Sequence, residues 1–403
     1  MDNKLNRVLD KLGTADVLYI GIGFTGYRMA GDKNFYIDLF EGLVKKGLKL
    51  IVISVSDPVE DKIVVDTSTA AYPIVHIRRP FHRKKPETWW IKNSRFISNH
   101  HKHHFLREYW ERMITLNYWT RTINKVIKKT SPEYIHFLDS FVFYHLNLNT
   151  AKIIVTQTKY EKKAGLLYYF YMRLLFSKAQ KGIVFNQRQL DYFPKKVLEK
   201  VKFIVQPWGV YEKENGSNEK CRLKWMNNPE NFMVLWSGYL MQISYRDFLF
   251  AKKLAELVVE KYDGIEFVFA FKPEVNIVLP VSSDKIKFVK SEGNFNELLN
   301  ASDLFFSPLC ESTTIIGPPL TWIEYISNGK PILTTNVNGL DSYFTKDESI
   351  LTFKNENELL QIFEAISNNN LDIAKIGQGA YEVFRKFFNL VEIIENYLAI
   401  YKN

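Results

Sequence analysis

The feature that most constrains this chain is a strand, a glycine-rich turn and a helix in direct succession near its start. Asp16-Val-Leu-Tyr-Ile-Gly-Ile is apolar enough for a buried strand, and glycines follow at positions 21, 23, 26 and 31. Phe35, Ile37, Leu39, Phe40, Leu43 and Val44 then recur at helical spacing. Gly47 predicts the end of that helix, and LKLIVISVS resumes a strand. Such a β-loop-α-β unit commits the chain to an open parallel sheet, because parallel neighbours need a crossover that a helix supplies.

The pattern recurs. Pro132-Glu-Tyr-Ile-His-Phe-Leu, Lys152-Ile-Ile-Val-Thr, Gly182-Ile-Val-Phe and Val201-Lys-Phe-Ile-Val read as further strands, the last ending in Gln206-Pro-Trp-Gly. A polar segment from 212 to 231 reads as a linker. A second series follows, with strands at Met233-Val-Leu-Trp, Ile265 to Phe271, Ile286 to Val289, Leu304 to Ser307 and Pro331 to Thr335. Helices are expected near 246–262, 295–301 and 319–328, and a last one carries the stripe Val391, Ile394, Tyr397, Leu398 and Tyr401. With 403 residues the chain has length for two domains. The expected architecture is α/β: two doubly wound Rossmann-like domains, 1–211 and 232–388, facing a cleft, with a terminal helix at 389–403 that returns to the first. Ligands of such sheets bind beyond the carboxyl ends of the strands.

Charge is unevenly spread. Residues 78–129 carry fourteen Lys/Arg against three Glu, whereas the remainder carries 40 cations and 41 anions. One segment therefore supplies the whole excess of +10, which predicts a local anionic partner. Two cysteines, Cys221 and Cys310, cannot build a disulfide framework and point to a reducing compartment. The first residues lack the apolar core of a signal peptide, and GLLYYFYMRLLF (165–176) is too short to span a bilayer. A cytoplasmic protein is expected, in contact with a membrane at most peripherally.

Four segments resemble the retaining GT-B glycosyltransferases of family 4. Gly31-Asp-Lys-Asn-Phe-Tyr-Ile-Asp-Leu-Phe-Glu-Gly-Leu-Val-Lys-Lys-Gly is similar to that family's first helix, and Pro132-Glu-Tyr-Ile-His-Phe-Leu-Asp to its strand ending in a His/Asp-bearing loop. Val201-Lys-Phe-Ile-Val-Gln-Pro-Trp-Gly-Val is similar to the segment closing its first domain. Pro318-Pro-Leu-Thr-Trp-Ile-Glu-Tyr-Ile-Ser-Asn-Gly-Lys-Pro-Ile-Leu-Thr-Thr resembles its donor-site helix most strongly. The resemblance covers nearly all of the chain except about 76–130, a basic, aromatic-rich insertion in the first domain. It implies transfer of a sugar from a nucleotide-diphosphate-sugar donor, with retention, onto a glycan or lipid-linked acceptor, without a metal or other cofactor.

The resemblance also assigns residues. Glu324 is expected to accept hydrogen bonds from the ribose hydroxyls of the donor, a role for which a carboxylate has two acceptor oxygens. Read from the residues themselves, the small polar positions and glycine before and at the start of that helix, Thr313, Thr314, Gly317 and Thr321, either offer N–H groups to the diphosphate or make an ordinary strand-to-helix loop, and Gly238 closes a strand beside it. Many members carry another Glu eight residues before the donor-site Glu, where this chain has Ile316. Where they often place Arg and Lys for the phosphates, it has Tyr239 and Ser244, so Arg246 and Lys272 become the candidate cations.

Gly21, Gly23 and Gly31 are expected to line the cleft, or simply to make a tight turn. His136 and Asp139, at a strand end, are candidates to orient the acceptor hydroxyl or assist its proton transfer, and a satisfied core histidine is the competing reading for His136. In the insertion, Arg78, Arg79, Arg83, Lys84 and Lys85 accompany Trp89 and Trp90, with Trp110, Tyr118 and Trp119 further on. Cations interleaved with such rings suit an anionic membrane surface or lipid-linked acceptor. They would also suit single-stranded nucleic acid, but no nucleic-acid motif accompanies them. The run His100-His101-Lys102-His103-His104 reads as solvated rather than metal-binding. The alternative to an enzyme is a non-catalytic relative that binds a sugar nucleotide, glycan or partner.

Overall fold

A computed structural model describes residues 8–22, 32–57, 63–78, 117–138, 146, 151–157, 173, 176–213, 218–238, 242–271, 279–291, 295–309 and 317–402. The chain divides into two compact units, residues 1–205 with 394–403, and residues 206–393.

The first unit is an eight-stranded sheet built from β1 (Val17–Ile22), β2 (Leu50–Asp57), β3 (Ile63–Asp66), β4 (Ile74–Arg78), β5 (Tyr134–Leu138), β6 (Lys152–Gln157), β7 (Lys181–Val184) and β8 (Lys202–Val205). The strand order is β3-β4-β2-β1-β5-β6-β7-β8, parallel throughout except for the β3–β4 hairpin. Alternation along β1 sends Leu18 and Ile20 to one face, where they join Ile53, Ile135 and the helical residues Trp119, Ile123 and Val126 in a single core. Tyr19 points the other way, against Phe40 of helix α1 (Asp32–Lys45) and Tyr401 of the terminal helix. Helices therefore cover both faces.

The second unit begins with helix α2 (Asn218–Trp225), so part of the polar segment read as a linker is folded. Its sheet contains β9 (Phe232–Gly238), β10 (Ile265–Phe271), β11 (Ile286–Lys290), β12 (Leu304–Phe306), β13 (Ile332–Thr335) and β14 (Leu351–Phe353), all parallel, in the order β11-β10-β9-β12-β13-β14. On one face α4 (Phe295–Ala301), α5 (Leu320–Ile326) and α7 (Ile373–Phe387) bury Leu298, Trp322 and Phe384 against Leu235, Val268 and Phe305. On the other, α3 (Gln242–Lys261) and α6 (Glu356–Ser367) bury Phe248, Leu254 and Phe363 against Val234, Phe267 and Phe306. The strands are apolar at nearly every position because both faces are covered.

Helix α8 (Leu390–Lys402) ends the chain, and its residues from Ile394 on belong to the first unit. Of the stripe expected there, Ile394, Tyr397, Leu398 and Tyr401 are buried but Val391 is 48% exposed. The inward face is instead continued by Leu390 and Ile393. Residues 117–130, counted with the basic insertion, are a core helix, and Trp119 is buried there rather than displayed.

Candidate functional site

The best-defined candidate site lies around α5, between the carboxyl ends of β12 and β13. The chain leaves β12 through Ser307, whose hydroxyl accepts the Trp322 indole N–H at 2.9 Å and whose carbonyl accepts the Thr334 hydroxyl at 2.8 Å. Leu309 is held in both directions by Thr335, whose Oγ1 accepts from the Leu309 N–H at 2.9 Å and donates to its carbonyl at 2.7 Å. At the start of α5 the Pro318 carbonyl accepts the Trp208 indole N–H at 2.6 Å. Gly317 faces the Trp208 ring, and Thr321 lies half-buried in the first turn.

The end of α5 is equally constrained. The Glu324 carbonyl accepts the Ser327 hydroxyl at 2.8 Å and the Asn328 amide at 2.9 Å, which satisfies a carbonyl that the helix end would leave without a partner. Gly329 then turns the chain at φ +65°, the left-handed conformation that glycine adopts without a Cβ penalty. A Cβ on Gly377 of α7 would stand 2.1 Å from the Gly329 carbonyl oxygen, so the two backbones touch directly. Burial depresses the ammonium of Lys330, the next residue. The motif Ser-Asn-Gly-Lys-Pro is thus a helix stop, a tight crossing and a strand start in succession.

Between these anchors the Glu324 side chain is 26% exposed, and its Oε1 lies 3.1 Å from the ammonium of Lys213. Lys213 also donates to Asn296 Oδ1 at 2.8 Å. Sequence reasoning missed both residues, since Lys213 precedes Glu324 by 111 positions.

The other expected residues fall differently. Gly238 ends β9, paired with Phe271, at the carboxyl edge of the sheet. Gly21 is a strand residue paired with Ser54, not part of a loop. Arg78 is the last residue of β4. Asp139, Lys272, Thr313, Thr314, Gly23, Gly31, Arg79, Arg83, Lys84, Lys85, Trp89, Trp90 and the side chain of Arg246 lie outside the described residues.

His136 is corrected by the structure. It is the middle residue of β5, wholly buried, with Nδ1 2.7 Å from the Tyr401 hydroxyl and Nε2 2.6 Å from Thr156 Oγ1. Tyr397 stacks on its ring, and Tyr401 also bonds the Tyr19 hydroxyl. Burial lowers the histidine from its ordinary 6.5 to about 3. A neutral imidazole with both nitrogens engaged and no exposed surface is a core group, not an acid or base for an acceptor.

Among the described residues no group of three His, Cys, Asp or Glu side chains could hold a metal ion. Nor is any described helix long and apolar enough to cross a membrane.

Residues 275–399, which contain α5 and Glu324, match the family described as glycosyl transferase-like. No curated protein sequence matches the chain. Sucrose-phosphate synthase from Thermosynechococcus elongatus is similar in structure, with a TM-score of 0.67 and 13% identity over 96% of this chain and 98% of that one. A glycosyltransferase from Rickettsia africae gives 0.66 and 17% over 96% and 98%. The Anabaena protein HepE, solved in complex with UDP and glucose, gives 0.61 and 10% over 96% and 100%. The chain has the GT-B glycosyltransferase fold. In GT-B terms the second unit is the one whose carboxyl-edge helix bears Glu324, and the first is the one closed by the terminal helix.

Proposed function

We propose that this GT-B glycosyltransferase moves a sugar, with retention, from a nucleotide-diphosphate-sugar onto a glycan or lipid-linked acceptor in surface polysaccharide or glycolipid synthesis. The observation that carries the reading is the Glu324 carboxylate, three-quarters buried on a helix fixed at both ends, inside the segment that matches the family. Both its oxygens can accept, and adjacent ribose hydroxyls are the ligand group that fills them in pairs. A relative of the same fold solved with UDP and glucose supports a nucleoside-diphosphate donor.

In the reaction the bond from the anomeric carbon to the diphosphate breaks, the acceptor hydroxyl oxygen takes its place, and the hydroxyl proton passes to the departing diphosphate. The departing charge needs N–H groups or cations close by. Gly238, Gly317, Thr313, Thr314 and Thr321 are proposed to supply the former, Arg246 and Lys272 the latter, with no metal or other cofactor. Asp139 is proposed to orient the acceptor. The basic residues Arg78, Arg79, Arg83, Lys84 and Lys85, with Trp89 and Trp90, are proposed to hold an anionic lipid surface at the cytoplasmic face.

The test is a thermal-shift screen against nucleotide sugars and nucleoside diphosphates, with Glu324→Ala in parallel, followed by a transfer assay with the donor that binds. A ligand at a hundred times its Kd stabilises by about 2.7 kcal/mol. A shift lost in the variant supports the site. Donor binding without transfer or hydrolysis would favour a non-catalytic relative.

A further inference from the structure

Lys213 is held where it is from several directions, all within the second unit. The stretch leading to it is fixed by the Trp208 bond to Pro318, by Val210 N–H on the Phe388 carbonyl at 3.0 Å, and by Leu390 N–H on the Val210 carbonyl at 3.0 Å. The Tyr381 hydroxyl bonds the Glu212 carboxylate next to it. The side chain then reaches Asn296 Oδ1 at 2.8 Å and Glu324 Oε1 at 3.1 Å, and its ammonium lies 5.7 Å from the centre of the Phe295 ring. Both partners of the ion pair are 26% exposed, far from the exposed surface pairs that contribute almost nothing.

A nucleoside diphosphate sugar carries two negative charges. A carboxylate in a partly desolvated site repels it, and the repulsion grows as water is excluded. Lys213 lies outside the matched segment 275–399 and arrives from a different part of the chain.

We infer that Lys213 is a positioning residue of the donor site: its ammonium cancels the charge of Glu324 and fixes its carboxylate, so that the site accepts a dianionic nucleotide. The inference rests on the donor-site reading of Glu324. A carboxylate has about four lone-pair directions, so one bond from Lys213 leaves acceptors for a ribose diol. Two of the three ammonium N–H groups are taken by Asn296 and Glu324.

The test is calorimetric titration with UDP, GDP, ADP and their nucleosides. The proteins are the wild type, Lys213→Met, Lys213→Arg, Glu324→Gln and Lys213→Met with Glu324→Gln, each checked for folding by its ligand-free melt. Lys213→Met is expected to weaken the diphosphate about tenfold or more and the nucleoside much less, because charge and not shape is lost. Lys213→Arg restores most of the affinity. In the Glu324→Gln background the Lys213→Met change costs the diphosphate less than it does in the wild type, since no carboxylate charge is left to cancel. If Lys213→Met does not fold, Lys213→Gln takes its place. Diphosphate binding that Glu324→Gln weakens and Lys213→Met leaves untouched overturns the inference and keeps the donor site. Binding that neither change affects, or no binding by the wild type to any of the three, overturns both.

Discussion

The Tyr401 hydroxyl lies 2.7 Å from Nδ1 of His136, across 265 residues of sequence. With Thr156 on the other ring nitrogen, it lets a neutral imidazole sit in the core with nothing unsatisfied. The same burial makes the histidine a sensor of acid. In the unfolded chain it takes a proton near pH 6.5, whereas in the folded protein it stays neutral to about 3. Between those values the unfolded state binds the extra proton, so stability rises with pH. The contribution of His136 is fully present above 6.5 and is lost toward 3, with a slope of up to ~1.4 kcal/mol per pH unit. Urea denaturation at pH 7 and 5 should show a steeper loss for the wild type than for His136→Gln. Equal losses would exclude His136 as the source.

Gly209→Ala should destabilise the second unit by about 1–3 kcal/mol, in the manner of an overpacked core. The added Cβ would stand 2.2 Å from the Phe388 carbonyl oxygen and 2.5 Å from Ile393 Cδ1. Gly264→Ala is the control, because its Cβ would meet nothing within 4 Å. It should change stability by no more than about 0.5–1 kcal/mol in either direction. Denaturant midpoints of the two variants distinguish a steric effect from loss of glycine as such.

Asp303→Ala should cost about 2–4 kcal/mol, less than a fully buried pair because both side chains keep some water. Arg222 Nη1 reaches the two Asp303 oxygens at 2.9 and 3.0 Å, and Asp303 Oδ2 also accepts the Met233 N–H at 2.7 Å. Removing the carboxylate leaves a guanidinium that is only 16% exposed with backbone carbonyls but no counter-charge, and frees a strand N–H. Asp303→Asn, which keeps an acceptor, should lose less. Equal losses would place the cost in the charge alone.

Charge neutralisation in the basic segment and loss of Trp119 should separate cleanly. Vesicles rich in anionic lipid are expected to bind the wild type with an affinity that falls as salt rises. Changing Arg79, Arg83, Lys84 and Lys85 to Gln should abolish that binding and leave the melting temperature unchanged. Trp119→Ala should instead cost the ~3–5 kcal/mol of stability typical of a large aromatic removed from a core, and so lower the melting temperature. Salt-independent binding would remove the electrostatic account.

The sequence showed the doubly wound repeat because strands covered on both faces are apolar at nearly every position, as in Ile265 to Phe271, where Glu266 is the one polar residue. It did not show β3, β4 and β14, although strands as short as β12 were legible. It also hid α2, whose polar composition reads as a linker until Arg222 is seen paired with Asp303. Glu324 could be chosen from its neighbours in sequence, Gly329, Lys330 and Pro331. Lys213 could not, because only the fold brings it to Glu324. Sequence alone could not decide between a site and a core role for His136, since the tyrosine that covers it stands near the far end of the chain.

That covering tyrosine sets an order on assembly. Residues 206–393 contain everything their sheet requires, so this unit can close as soon as it leaves the ribosome. The first unit has all eight strands by residue 205 but must wait for residues 394–403 before Tyr397 and Tyr401 seal the ring of His136. The half of the molecule made first is therefore the half finished last.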